Sequence, residues 1–63
     1  MTFLGLDIGD YFIQWDNVHE CYLMYWKNSE YDARFVDKDL KVYVCNWSLI
    51  KFSSDDIVYK VIV

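Results

Sequence analysis

Turn-forming residues interrupt this sequence at short, regular intervals, and that rhythm limits the fold more than any other feature. Glycine, asparagine, aspartate and serine recur about every 8 to 14 residues, at 9–10, 16–17, 27–29, 37–39 and 53–56. The chain contains no proline, so the intervening segments are free to pair as strands. Segments of this length are typical of an all-β domain with short connections.

Five of these segments alternate in the manner of a strand. They are rich in β-branched and aromatic residues, which suit a pleated, half-buried surface. The predicted strands are Thr2–Ile8, Tyr11–Asp16, Tyr31–Val36, Leu40–Trp47 and Ile57–Val63. We therefore predict a mainly β fold, with residues 1–63 forming one small domain of five or six short antiparallel strands, as a meander or a small barrel.

Residues 17–27 fit two structures. As a helix, the segment begins at an Asp16 or Asn17 cap, with Glu20 in the capping-box position, and its apolar residues recur at helical spacing. As a strand, it is apolar on both faces, and its tyrosine, tryptophan and cysteine residues are indifferent helix formers. We prefer the strand. The helix is the alternative, and it would make the domain α+β.

The segment Phe3–Gly9 reads Phe-Leu-Gly-Leu-Asp-Ile-Gly. It resembles the first phosphate-binding hairpin of the actin and sugar-kinase ATPases, and the resemblance implies a glycine close to nucleotide phosphates and an aspartate that orients metal and water. That superfamily holds nucleotide between two large lobes. Here the next residue, Asp10, would place a carboxylate where phosphate oxygens lie. We therefore interpret Gly9-Asp10 as a hairpin turn that requires positive φ.

Residues suited to catalysis or metal binding are sparse. His19 and Cys21 do not form a nucleophile–base pair on either a strand or a helix. The pair Asp55–Asp56 falls in a turn, where carboxylates usually cap the backbone or face water. Two cysteines and one histidine are too few for a closed zinc site. We expect no catalytic residue, no cofactor and no metal, and therefore a protein that is not an enzyme.

The cysteines and the apolar segments bear on localisation. No apolar run reaches the ~18 residues that a membrane span requires, and the start of the chain lacks the basic residues of an export signal. We expect a cytoplasmic protein with no membrane partner, in the host cytosol if the chain is viral. Cys21 and Cys45 are then reduced, and their apolar neighbours predict buried thiols without a disulfide.

The composition favours binding to another macromolecule. Aromatic residues make up 21% of the chain, and ten acids against six bases give a net charge of −4. A small core cannot enclose so many aromatics, and exposed aromatic surface usually marks an interface. We expect a modulator or inhibitor of a host protein, of the type found in phages and mobile elements, which acts through an aromatic patch with an acidic rim.

The expected patch lies around the connection that follows residues 17–27. Its members are Tyr22, Tyr25, Trp26, Glu30, Tyr31 and Asp32. The two carboxylates would keep the patch soluble and steer a partner with a basic surface. Two alternatives stay open: an acidic nucleic-acid mimic, and a small β-barrel that stacks single-stranded nucleic acid on its aromatics. The acidic charge argues against nucleic acid as the partner.

A single copy of so short a chain is close to marginal stability. Surface scaling gives a hydrophobic contribution of about 100 kcal/mol, and ordering the chain costs about 95 kcal/mol. The segment Ile57–Val63 carries one charge, Lys60, to protect an exposed strand edge. We therefore expect a symmetric homodimer, with pairing through this strand as one route.

Overall fold

The computed structural model describes residues 1–63 and contains one antiparallel sheet. Its strands are β1 (Tyr11–Asp16), β2 (Cys21–Lys27), β3 (Asp32–Val36), β4 (Leu49–Lys51) and β5 (Tyr59–Val61). They lie in the order β4–β3–β2–β1–β5, and every neighbouring pair is antiparallel. Since β4 and β5 are the two edges and do not pair with each other, the sheet is open. The predicted mainly β fold is confirmed.

The strand interpretation of residues 17–27 is confirmed for Cys21–Lys27, and the alternative helix is wrong. The Asp16 carboxylate accepts the backbone N–H of His19 at 2.8 Å and also contacts the His19 ring, which resembles the start of a capped helix. Glu20 then adopts a φ of 54°, and the chain reverses into β2. The backbone hydrogen bond, followed by the ring contact, lowers the pKa of Asp16 from its ordinary value.

The predicted strand Thr2–Ile8 is wrong. Phe3–Gly5 forms a single 3₁₀ turn instead. Residues three apart lie on the same side of a 3₁₀ turn, so Phe3 and Leu6 are buried together while Leu4 is exposed. The segment therefore covers the sheet with two side chains and does not extend it.

Gly9 has the predicted positive φ, at 98°. Its N–H donates to the carbonyl oxygen of Lys27 at 2.8 Å, and the Asp10 carboxylate accepts the N–H of Asp7 at 2.9 Å. Because few side chains tolerate this φ, the glycine serves the turn that delivers the chain into β1.

The predicted strand Leu40–Trp47 is also wrong, since only one isolated bridge, between Val36 and Val42, pairs it with the sheet. The Ser48 hydroxyl is fully buried and lies 2.7 Å from the carbonyl oxygens of Tyr43 and Cys45. These contacts fold the chain into a 3₁₀ turn over Asn46–Ser48. The edge strand β4 begins directly after that turn.

The core lies on one side of the sheet, which we call the inner face. Phe12 of β1 and Tyr25 of β2 project from the sheet and meet Phe3 and Phe52 from the two covering segments, residues 1–8 and 52–58. Ring centroids of Phe3 and Phe52 are 4.9 Å apart and nearly parallel. Leu6, Ala33 and Val58 complete the cluster. The covering segments thus supply about half of the core cluster and form a second layer over the sheet.

Cys21 and Cys45 are both exposed and free. The prediction of buried thiols is wrong because Cys21 begins β2 at the end of the sheet and Cys45 lies in the connection that leads to β4. Neither 3₁₀ turn, the chain's only helical structure, has the length and apolar character to cross a membrane.

Candidate functional site

The other side of the sheet, the outer face, is dominated by large apolar side chains. Alternation along the strands and the pairing register define its members. On β1, β2 and β5 they are Tyr11, Ile13, Trp15, Tyr22, Met24, Trp26, Tyr59 and Val61. We call these eight residues the outer patch. Both covering segments pack on the inner face, and on the outer face of the strands only Val36, opposite Met24, is buried.

Three aromatic rings form the most exposed part of the outer patch. Trp15, Tyr22 and Tyr59 are 49%, 50% and 51% exposed. The Tyr22 ring makes an edge-to-face contact with Trp15 at 5.2 Å and another with Tyr59 at 6.0 Å. The Trp15 indole N–H donates to the Asn17 side-chain oxygen at 3.0 Å, which fixes the ring at the end of β1. Mutual packing holds the three rings in place while half of each faces water.

The structure separates the residues of the predicted patch. Tyr22 and Trp26 lie on the outer face of β2 with Met24 between them, and Trp26 pairs with Tyr11 and Arg34. Tyr25 points to the opposite face and is only 8% exposed. Its ring packs on Phe12 and Phe52. Tyr25 is therefore a core residue, and its placement in an exposed patch is wrong.

Glu30, Tyr31 and Asp32 lie together at the β2–β3 connection. Glu30 is exposed, and Tyr31 is 71% exposed. The Asp32 carboxylate accepts hydrogen bonds from the side chains of Asn28 at 3.0 Å and Ser29 at 2.7 Å, and these two bonds, in that order, lower its pKa. Asp32 thus holds the turn, and Glu30 is the free carboxylate of the predicted rim.

Sequence reasoning missed Trp15 and Tyr59 as members of the exposed patch. Alternation along 11–16 places Trp15 on the same side as Tyr11, and this signal was available in the sequence. The position of Tyr59 beside Ile13 depends on the return of β5 to β1, a pairing between distant segments that local pattern does not specify.

The surface is more acidic than the composition suggests. Lys27 is 3% exposed, and its ammonium donates to the carbonyl oxygens of Phe3 at 2.9 Å and Leu6 at 2.7 Å. It also lies 4.5 Å from the centroid of the Phe3 ring. With one of the six bases enclosed, five remain on the surface to balance ten acids. Positively charged surfaces are the complementary partners of such a field.

The groups considered for catalysis have structural contacts. The Asp56 carboxylate accepts the N–H of Ser53 at 2.9 Å and closes the turn before β5, and His19 contacts Asp16. No three histidine, cysteine, aspartate or glutamate side chains are grouped as ligands for a metal ion.

The outer patch is accordingly the candidate site of this chain, and its sheet places eight apolar side chains on one uncovered surface. No protein-family model, curated protein or solved structure matches the chain.

Proposed function

We propose that this chain is a small non-enzymatic binding protein that docks on another protein through the outer patch. The observation that carries the proposal is the row of half-exposed rings of Trp15, Tyr22 and Tyr59, which touch one another and lie on the uncovered side of the sheet. Tyrosine and tryptophan dominate the energetics of protein interfaces because they bury much area at little entropic cost. The form of this function that we propose is a modulator or inhibitor of a host protein.

The charges around the patch favour a protein partner with a basic surface. Exposed acids, among them Glu20 before β2 and Glu30 after it, flank the strand, while the centre of the patch is apolar. Steering by such a rim raises the association rate, whereas the rings provide affinity once the partner covers them. A single-stranded nucleic acid would also stack on aromatic rings, but it would meet a net negative field.

The test is partner affinity with matched tyrosine variants. A partner is isolated from native-host cells by affinity purification, and its dissociation constant is then measured by calorimetry with the purified components. Tyr22→Ala and Tyr59→Ala are each expected to weaken binding at least about fivefold. Thermal unfolding, measured in parallel, should change little, because both rings are half exposed.

Tyr31→Ala is the matched control, since Tyr31 is exposed at the β2–β3 turn and lies outside the outer patch. If Tyr31→Ala weakens binding while Tyr22→Ala and Tyr59→Ala do not, the working surface is the turn and the proposal is wrong. Salt-sensitive binding of a labelled single-stranded oligonucleotide, lost in Tyr22→Ala, would also contradict it and identify nucleic acid as the ligand.

A further inference from the structure

The inner face has a part that the core does not fill. The core cluster occupies the part of the inner face near Phe12 and Lys27, while Leu23 and Phe35 pack against the cluster at its border. Beyond that border is an open cleft of about 220 Å³, lined by His19, Leu23, Tyr25, Phe35, Trp47 and Ile50. It lies on the opposite side of the sheet from the outer patch, so it is a separate site.

The walls of the cleft are almost entirely apolar and largely aromatic. Phe35 is half-buried and packs against Trp47 at 6.4 Å between ring centroids, and Ile50 projects from β4 beside Ala33. An apolar cavity of about 150 Å³ suffices for benzene, whereas sites for drug-sized ligands are about 300 Å³ or more. The cleft therefore has the size of one small aromatic ring.

One polar group of this apolar space has no partner within the chain and faces water. Tyr25 is 8% exposed, and no buried side-chain oxygen or nitrogen lacks a partner, so its hydroxyl, which makes no hydrogen bond within the chain, is reached by solvent. Burial, with a smaller contribution from the Asp16 and Cys21 charges, raises the pKa of Tyr25. A tyrosine phenol is protonated at neutral pH in any case, so it has a hydrogen to donate. An apolar ligand would cover this donor at a cost, whereas a ligand with an acceptor would satisfy it.

We propose that this cleft binds a single small aromatic ring that carries a hydrogen-bond acceptor, a phenol in the simplest case, with the ring against Leu23, Phe35 and Trp47 and the acceptor on the Tyr25 hydroxyl. A free phenolic molecule and the tyrosine side chain of a peptide share this chemistry.

Titration of the ¹⁵N-labelled chain with p-cresol tests the proposal by NMR. Shifts are expected at Leu23, Phe35, Ile50 and the Trp47 indole N–H, and not at Trp15. Toluene, which has the ring but no acceptor, should bind about 3- to 10-fold more weakly than p-cresol. N-acetyltyrosine amide forms the second arm. If it shifts the same signals more strongly than p-cresol, the source is a peptide, and if p-cresol binds better, the source is a free phenol.

Tyr25→Phe keeps the core ring and removes only the hydroxyl. In this variant p-cresol and toluene should bind equally, whereas Tyr59→Phe, on the outer face, should keep the preference for p-cresol. Ile50→Trp, which fills the cleft, should abolish the shifts while circular dichroism stays native. A preference for p-cresol that survives in Tyr25→Phe, or shifts confined to the outer patch, would overturn the proposal. Neither outcome depends on the outer patch binding a protein.

Discussion

At the scale of single residues, Lys27 connects several parts of the fold through its backbone and its side chain. Its backbone N–H donates to the carbonyl oxygen of Asp10 at 2.9 Å. Its ammonium joins the first covering segment to the sheet through the carbonyl oxygens of Phe3 and Leu6. A buried charge is costly unless it is fully hydrogen-bonded. Here two carbonyl oxygens and the face of an aromatic ring surround it.

Replacing Lys27 with methionine should therefore destabilise the chain. Lys27→Met keeps the aliphatic stem but leaves the Leu6 carbonyl without its partner, at an expected cost of about 1–3 kcal/mol in the free energy of unfolding. Urea denaturation measures the change, and amide hydrogen exchange at Leu6 should rise with it. The control is Lys38→Met, which removes an exposed charge. Equal stability of the two variants would show that the buried ammonium contributes nothing to folding.

At the scale of elements, the β2–β3 connection combines a hairpin with a carboxylate clamp. The Asp32 carboxylate accepts from Asn28 and Ser29 side chains, and the Asp32 carbonyl oxygen accepts the N–H groups of the same two residues at 3.1 and 3.2 Å. The turn is thus fixed at four points on one residue. Asp32, an acid that we predicted would steer a partner, therefore stabilises the turn instead.

The clamp predicts a pH-dependent contribution to stability. The pKa of Asp32 is lower in the folded chain than its ordinary value of 3.8, so the ionised carboxylate stabilises the folded state above about pH 4, and this contribution disappears as the pH falls through the folded pKa. The stability difference between the native chain and Asp32→Ala should accordingly be present at pH 6 and shrink below about pH 4. Denaturation of both proteins across this range provides the measurement. A difference that is constant with pH would rule out the clamp.

The elements also show what local sequence could and could not predict. β1 and β3 were predictable because each alternates between turn residues, whereas β2 was preferred as a strand because its tyrosine, tryptophan and cysteine residues are indifferent helix formers. The pairing of these three strands is between neighbours in sequence. The segments 2–8 and 40–47 have equally good alternation, but the Lys27 ammonium and the buried Ser48 hydroxyl hold them in turns. The Lys27 contacts join residues far apart in the sequence, and the Ser48 contacts depend on burial of the hydroxyl. Hydrophobic periodicity predicts neither.

The candidate site, like the fold, could be predicted only in part. Exposed aromatics on β2 were expected. Tyr22 is exposed there, while Trp26 lies on the same face but is partly buried. Because Cys21–Lys27 is apolar on both faces, its pattern could not show which face meets the covering segments, and Tyr25 was placed on the wrong side. The outer patch as a surface depends on the sheet order, since β5 adds Tyr59 only after the chain has passed through β3 and β4.

At the scale of the whole molecule, the open sheet has an unprotected edge. β5 pairs with β1 on one side only, and its single charge, Lys60, faces Asp10 at 3.6 Å. A free apolar edge is a template for pairing with a second chain. Antiparallel pairing of β5 with its own copy would join two sheets and double the outer patch into one continuous surface.

We therefore expect a symmetric dimer at high micromolar concentration. Light scattering should give twice the 7.7 kDa mass of the single chain, and Ile62→Lys, beside β5, should return it to that mass. Val18→Lys is a matched control, because Val18 and Ile62 are equally exposed at 84% and Val18 lies in the β1–β2 turn. A single-chain mass for the native protein under these conditions would exclude the dimer.

The covering segments also set when the protein can acquire its structure during synthesis. Phe3 stacks on Phe52. The N–H of Phe3 donates to the carbonyl oxygen of Asp56, and the N–H of Val58 donates to the carbonyl oxygen of Met1. Segment 1–8 is synthesised before β1–β4 and segment 52–58 after them, so the loop between these two segments must close before either is shielded from water. The β1–β2–β3 hairpins can form earlier, but until residue 58 emerges they expose both faces to chaperones and to other nascent chains.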